Sequence, residues 1–148
     1  MGDIKVGING MGRIGRMVFR AALAHPEIEI AAVNATCSTD YLAYLLIYDT
    51  MHGRINADIT YDEGHIIAIP VMSDRDPAKL TWGEYGVEYV AECTGKFLTA
   101  EAAAPHLLSG AKKVVMSAPA KDATPMFVCG VNLDAYRPEM QFVSNASC

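Results

Sequence analysis

Two groups of residues have types and spacing suited to chemistry. Gly10, Gly12 and Gly15 form a G-x-G-x-x-G pattern directly after a short apolar segment. Cys148 lies far along the chain, in the polar run at 144–148. A thiolate is the nucleophilic form of cysteine, and a glycine-rich turn that opens a helix binds phosphate groups. Together the two groups predict a thiol that reacts beside a bound dinucleotide.

The glycine pattern stands in the context that a dinucleotide fingerprint requires. It follows a predicted strand and opens a predicted helix within a β-α-β unit. Gly10 permits a tight turn, Gly12 leaves room for a pyrophosphate, and Gly15 lets the helix pack closely on the strand. We expect the backbone N–H groups of Arg13 and Ile14 to face the phosphates, at the positive end of the helix.

The second predicted strand ends without the acidic residue that usually binds the adenosine ribose. The strand runs into Asn34 and Ala35, and segment 30–39 contains neither Asp nor Glu. An acid here would also repel a 2′-phosphate, so its absence favours the use of NADP as well as NAD. Segment 35–47 contains no Lys or Arg, so Arg75 is the expected cation for such a phosphate.

Strands and helices alternate along the chain. Strands are predicted at 4–8, 29–34, 87–94, 113–116, 126–128 and 141–143, and helices from 12 to Pro26, 40–48 and 99–109. Asp40 is expected to cap the second helix, whose inner face would carry Tyr41, Leu42, Leu45 and Leu46. Pro105 either kinks the third helix or moves its start. This alternation predicts an α/β fold with a doubly wound, mostly parallel sheet of the Rossmann type.

One stretch departs from the alternation. Segments 55–61 and 65–70 flank the turn residues Asp62, Glu63 and Gly64, and residues 55–59 alternate between apolar and polar. This pattern predicts an antiparallel hairpin inserted between the β-α-β units. No repeat or linker divides the chain, so residues 1–148 are predicted to form one dinucleotide-binding domain.

Composition excludes several classes of function. The formal net charge of −5 and the isoelectric point near 5.3 match the nucleic-acid backbone poorly. No apolar run reaches the roughly 18 residues of a membrane span, and no signal segment is present, so a cytoplasmic protein is expected. The four cysteines have no C-x-x-C spacing and the four histidines are scattered, so no metal site is expected.

An ordered series of motifs covers the whole chain. It comprises KVGINGMGRIGR at 5–16, YDTMHG at 48–53, RDP at 75–77, ECTG at 92–95, GAKKV at 110–114, SAP at 117–119, GVN at 130–132 and SNASC at 144–148. In this series the chain resembles the N-terminal, NAD-binding half of phosphorylating glyceraldehyde-3-phosphate dehydrogenases.

The resemblance implies a set of cofactor contacts. They are Arg13 and Ile14 at the pyrophosphate, Arg75 near the adenine, and Thr94, Gly95 and Ser117 on the nicotinamide side. The family's ribose-binding Asp falls at Ala35, so that contact is not carried over. The same Asp is missing from NADP-accepting members and from the relative that oxidises erythrose 4-phosphate, which leaves both substrates open.

The resemblance also implies a reaction. The thiolate of Cys148 adds to the aldehyde of glyceraldehyde 3-phosphate, with Ser147 contacting the substrate, and a hydride passes to NAD or NADP. Inorganic phosphate then releases 1,3-bisphosphoglycerate. A homotetramer is implied, with a catalytic domain following Cys148. The residues that activate the thiol are expected in that domain, so the 148-residue chain alone is expected to bind cofactor without turnover.

Three other functions remain open at this point. One is oxidation of erythrose 4-phosphate. Another is a thiol-dependent dehydrogenase of the aspartate-semialdehyde type, which shares only the glycine turn and the cysteine. The third is a dinucleotide-binding module that is complete at 148 residues and performs no catalysis.

Overall fold

The structure is a computed structural model that describes residues 4–145. Its helices are α1 (Arg13–Leu23), α2 (Thr39–Ile47) and α3 (Ala100–Leu108). Its strands are β1 (Ile4–Asn9), β2 (Ile28–Asn34), β3 (His65–Ile66), β4 (Ile69–Met72), β5 (Tyr89–Glu92), β6 (Lys113–Met116) and β7 (Phe142–Ser144). Short 3-10 turns at 77–79, 82–85 and 133–135 connect them.

The strands form one sheet in the order β3-β4-β2-β1-β5-β6-β7. Every pairing is parallel except that of β3 with β4. The chain therefore runs outward from β1 through β2 to β4, returns to the other side of β1 and runs outward again from β5 to β7. The direction of winding reverses between β1 and β5, which confirms the predicted doubly wound, mostly parallel sheet with an antiparallel pair.

Apolar side chains cover both faces of the sheet. Ile8 of β1 lies in the cluster beneath α1 and α2, with Phe19 and Leu46. Its neighbour Gly7 faces the opposite side, where a Cβ atom would come within 2.6 Å of the Trp82 ring. The fully buried indole of Trp82 thus packs directly on the backbone of β1, at a position that only glycine fills without displacement.

The helices follow the predicted segments, with corrections to α2. Ser38, not Asp40, occupies the N-cap of α2, and Asp40 lies in the first turn, where its charge favours the helix N-terminus. Tyr41 is exposed, so its placement on the inner face was wrong. Pro105 lies inside α3, which begins at Ala100 with Thr99 accepting a hydrogen bond from the Ala102 N–H, so the proline does not delay the helix.

The inserted hairpin exists, but with a different turn. Strands β3 and β4 pair through Ile67 and Ala68, whose φ angles are 50° and 62°. Segment 55–61 forms no strand and contributes one isolated bridge, between Tyr61 and Ile66. The left-handed conformation normally favours glycine or asparagine, so isoleucine and alanine carry no sequence signal for a turn at these two positions.

A second predicted strand is also reduced. Segment 126–128 makes only an isolated parallel bridge between Met126 and Ser144.

Across residues 4–145, no helix is both long enough and apolar enough to cross a bilayer.

Candidate dinucleotide-binding cleft

A groove of about 550 Å³ lies at the carboxyl ends of β1, β2 and β5. This is where the winding of the sheet reverses, the position at which open α/β sheets bind their ligands. The residues that line it are Asn9, Gly10, Met11, Gly12, Arg16, Asn34, Ala35, Thr36, Cys37, Tyr41, Leu45, Asp74, Arg75, Cys93, Thr94, Lys96 and Phe97.

The glycine turn forms the floor of this groove, and each glycine is required for a different reason. Gly10 adopts a φ of 92°, which side chains other than glycine rarely tolerate. A Cβ atom on Gly15 would lie 1.9 Å from the carbonyl oxygen of Gly10. Within residues 4–145, a Cβ atom on Gly12 would meet nothing closer than 4 Å, so no contact in that part of the chain explains the glycine. The open space beside Gly12 fits the close approach of a pyrophosphate.

Helix α1 begins at this turn. Its N-cap residue, Gly12, offers no side chain to cap the first turn, and that turn contains no acidic residue. The first N–H groups of a helix have no intrahelical partner, so the positive end of α1 is available to an anion. Arg13 and Ile14 are exposed here, and Arg13 lines an adjoining groove together with His52.

Asn34 attaches the loop after β4 to the end of β2. Its side-chain N–H groups donate to Oδ1 of Asn9 at 2.7 Å and to the carbonyl of Asp74 at 2.7 Å. Its Oδ1 accepts from the N–H of Asp74 at 3.0 Å. Arg75 follows Asp74 directly and lines the groove.

The end of β2 presents no acid to a ribose. Ala35 lines the groove with 3% of its surface exposed, and its N–H donates to the Met72 carbonyl at 2.9 Å. The groove nevertheless carries charges that the sequence interpretation missed, on Asp74, Arg16 and Lys96. Lys96 follows the end of β5, so the rule that ligands bind at carboxyl strand ends would have found it.

The opposite end of the groove is bordered by Thr94 and Cys93, which follow β5. Burial raises the pKa of the Cys93 thiol to about 11, and a hydrogen bond with Ser117 acts in the opposite direction. Cys93 therefore stays protonated at neutral pH and makes a poor nucleophile.

The structure brings together about half of the sequence-predicted cofactor residues. Gly10, Gly12, Asn34, Ala35, Arg75 and Thr94 line the groove. Gly15 is buried under the turn, Gly95 directly follows Thr94, and the Ser117 N–H donates to the Glu92 carbonyl at 3.0 Å at the end of β5. The predicted nucleophile Cys148 and the predicted substrate residue Ser147 lie outside the described residues.

Comparison with known proteins agrees with this geometry. The family described as the glyceraldehyde 3-phosphate dehydrogenase NAD-binding domain matches residues 4–100. Glyceraldehyde-3-phosphate dehydrogenase of Shimwellia blattae is 56% identical over 98% of this chain, and glyceraldehyde-3-phosphate dehydrogenase A of Escherichia coli is 55% identical over the same share. The Salmonella typhimurium enzyme is 54% identical over 98% of the chain. The chain spans 45% of the length of each of these curated relatives. It belongs to the glyceraldehyde-3-phosphate dehydrogenase family and carries that family's NAD(P)-binding domain.

Proposed function

We propose that this chain is the cofactor-binding part of an enzyme that oxidises glyceraldehyde 3-phosphate to 1,3-bisphosphoglycerate, with inorganic phosphate as the acyl acceptor. The observation that carries the proposal is the groove where the sheet reverses its winding, floored by the glycine turn. It occurs in a chain that is 55% identical to a named dehydrogenase. Because the chain spans 45% of its relatives' length, the reaction is proposed for the complete protein.

The described residues support distinct parts of the dinucleotide. The N-terminus of α1, with Arg13 and Ile14, is assigned to the pyrophosphate, and Gly12 gives it room. Arg75 is assigned to the adenosine end beside Asn34 and Ala35. Thr94, Gly95 and Ser117, at the ends of β5 and β6, are assigned to the nicotinamide end. The nicotinamide, when bound, accepts a hydride from the substrate.

Cys148 is assigned as the nucleophile, with Ser147 as a substrate contact beside it. The sulfur adds to the aldehyde carbon, and loss of hydride from that carbon converts the adduct to a thioester. An oxygen of inorganic phosphate then attacks the thioester, the carbon–sulfur bond breaks, and the thiolate is regenerated. A separate domain is proposed to supply the groups that activate the thiol, so the 148-residue chain alone is proposed to bind cofactor without turnover.

The reaction is tested by following reduced cofactor in the full-length protein. Glyceraldehyde 3-phosphate should reduce the cofactor at a sustained rate only when inorganic phosphate is present. Cys148→Ser should lower kcat by about 1,000-fold or more, because a hydroxyl is a far weaker nucleophile at neutral pH. Cys129→Ser, at an exposed cysteine, is the matched control and should retain activity.

The same assay separates the alternatives. Faster turnover of erythrose 4-phosphate than of glyceraldehyde 3-phosphate would reassign the substrate. Cofactor binding without turnover of either aldehyde by the full-length protein would favour a binding module.

We also propose that the cleft accepts NADP alongside NAD. The support is Ala35, which leaves the end of β2 without the carboxylate that would repel a 2′-phosphate, and Arg75, which lines the groove. Titration with NADH and NADPH tests this. A preference for NADH of about 100-fold or more, equivalent to about 2.7 kcal/mol, would reject it.

Assembly and location are further proposals for the complete protein. A homotetramer in the cytoplasm is the arrangement that the family assignment favours. Light scattering of the purified protein and fractionation of the source cells measure these two properties directly.

A further inference from the structure

A buried carboxylate lies beneath one end of the cleft. Glu92 ends β5, and its side chain is 0% exposed. Oε2 accepts hydrogen bonds from Nδ2 of Asn9 at 2.6 Å and from Nε2 of His106 at 2.8 Å. Oε1 accepts from the backbone N–H of Thr94 at 2.9 Å and from the Thr94 hydroxyl. We call these four residues, with Trp82, the Glu92 cluster.

The hydrogen bonds within the cluster define its charge. Trp82 Nε1–H donates to Nδ1 of His106 at 3.0 Å, and an indole nitrogen can only donate. Nδ1 is therefore an acceptor, Nε2 carries the hydrogen, and the imidazole is neutral. Since all four groups that face Glu92 donate, the side chain fits as an acceptor-only carboxylate. The cluster carries a net charge of −1.

No lysine or arginine of the described residues forms an ion pair with Glu92. In the described part of the chain, the only basic side chain within 4.0 Å of Glu92 is that of His106, which is neutral. Lys96 reaches the groove but is exposed, where water screens its charge. A buried charge acts over longer distances than an exposed one because little water lies between it and its surroundings.

The Glu92 cluster lies next to the end of the groove that is proposed to hold the nicotinamide half of the cofactor. In this fold the adenosine lies at the end of β2 and the pyrophosphate at the start of α1, so the nicotinamide half extends past β5. Thr94, which donates twice to Glu92, lines the groove at that end. Asn9 connects Glu92 to the floor of the groove and, through Asn34, to the adenosine end.

We propose that Glu92 is a positioning residue whose buried negative charge makes the cleft favour the oxidised, positively charged nicotinamide over the reduced, neutral ring. The inference rests on the proposed cofactor orientation. The hydrogen bonds of Glu92 with Asn9 and Thr94 set the shape of the groove, and this shape affects the binding of both forms of the cofactor. The charge of Glu92 affects the difference in affinity between the oxidised and the reduced form. The ratio of the two dissociation constants therefore separates charge from shape.

Glu92→Gln in the full chain tests the proposal, with Glu92→Asp as the matched control that keeps the charge. Dissociation constants for NAD⁺ and NADH are measured by calorimetry or fluorescence. We expect Glu92→Gln to raise the ratio Kd(NAD⁺)/Kd(NADH) about fivefold to tenfold, because it removes one unit charge that acts through the weakly polarisable protein interior. Glu92→Asp should keep the ratio within about twofold of the wild-type value, even where both affinities fall.

The outcomes are distinguishable. An unchanged ratio in Glu92→Gln, with both cofactors bound, overturns the inference and leaves the proposed function intact. Failure of the wild-type chain to bind either form overturns both.

In Glu92→Gln the new amide N–H would face the N–H of His106, which opposes folding. If this variant does not fold, a double variant still tests the proposal. In Glu92→Gln/Trp82→Phe the donor to Nδ1 is removed, so the ring can move its hydrogen to Nδ1 and accept from the amide. The ratio is then compared with that of Trp82→Phe alone, and the same fivefold to tenfold increase is expected. Equal ratios in this pair overturn the inference.

Discussion

Gly15 and Gly10 approach so closely that a Cβ atom on Gly15 would lie 1.9 Å from the Gly10 carbonyl oxygen. The Gly10 carbonyl belongs to the backbone and cannot swing aside like a side chain, so a larger residue at 15 must push helix α1 away from the turn. We expect Gly15→Ala to lower the free energy of unfolding by about 2–3 kcal/mol, measured by urea denaturation. Cofactor affinity should fall as well, because the displaced helix carries the proposed pyrophosphate site.

Gly12→Ala separates ligand approach from folding. A Cβ atom at this position meets open space, and the backbone φ of −72° suits alanine. The free energy of unfolding should change by less than about 0.5 kcal/mol. Affinity for NAD, measured by calorimetry, should fall by about tenfold or more, since the methyl group occupies the proposed path of the pyrophosphate. Unchanged affinity in this variant would contradict the assignment of Gly12.

Asn34→Asp tests the junction that attaches the Arg75 loop. The new carboxylate oxygen replaces a donor and faces two acceptors, Oδ1 of Asn9 and the carbonyl of Asp74. Because the site is buried, we expect a loss of about 2–4 kcal/mol in the free energy of unfolding. Asn56→Asp makes the same change at an exposed position and should alter stability by less than about 0.5 kcal/mol. Equal effects of the two changes would count against the junction.

Ala35→Asp tests the basis of cofactor choice. An added carboxylate at the end of β2 should repel a 2′-phosphate, so the affinity for NADPH should fall relative to NADH by about tenfold or more. Ala35→Asn is the matched control, since its amide has nearly the same size without the charge. If the two variants change both affinities alike, the effect is steric and Ala35 does not govern the choice.

The ionised carboxylate of Asp49 is expected to contribute to stability in a way that is lost in acid. Hydrogen bonds from the backbone N–H and then the side chain of His52 lower the pKa of Asp49 from 3.8 to about 2. The folded pKa lies below the unfolded value, so the ionised carboxylate stabilises the fold above about pH 4. That contribution is lost as the pH falls through about 2. A carbon-13 NMR titration of the carboxyl group should give a midpoint near 2.

His52→Ala supplies the control for that titration. It removes the side-chain bond at 2.9 Å and keeps the backbone N–H bond at 2.7 Å. The midpoint of Asp49 should therefore rise without reaching its ordinary value. A midpoint near 3.8 in the wild-type chain would show that these bonds do not form in solution.

The central part of the sheet could be predicted because its strands have strong local signals. Segments 4–8 and 29–34 are short, apolar and rich in β-branched residues, and they correspond to Ile4–Asn9 and Ile28–Asn34 in the structure. The glycine spacing between them identified the turn and the start of α1. Buried parallel strands and a fingerprint of this kind are set by local sequence, so no tertiary information was needed.

The features that the sequence did not reveal depend on distant contacts or on unusual backbone. Ile67 and Ala68 form the hairpin turn with positive φ angles, although neither residue type favours them. The turn was therefore predicted at 62–64 instead. His106 lies 14 residues from Glu92 and 24 from Trp82, and only the fold brings the three together. Lys96 and Asp74 reach the groove because two separate strands end there.

The strand order has a consequence for how the domain assembles. Among the strands of residues 4–145, β1 is synthesised before the others, yet it sits in the middle of the sheet, and one of its two neighbours is Tyr89–Glu92. Until that segment has left the ribosome, one hydrogen-bonding edge of β1 stays unpaired and open to other chains. Closing this long-range pairing is an entropically costly step, so we expect it to limit the folding rate and to be a stage at which nascent chains need protection.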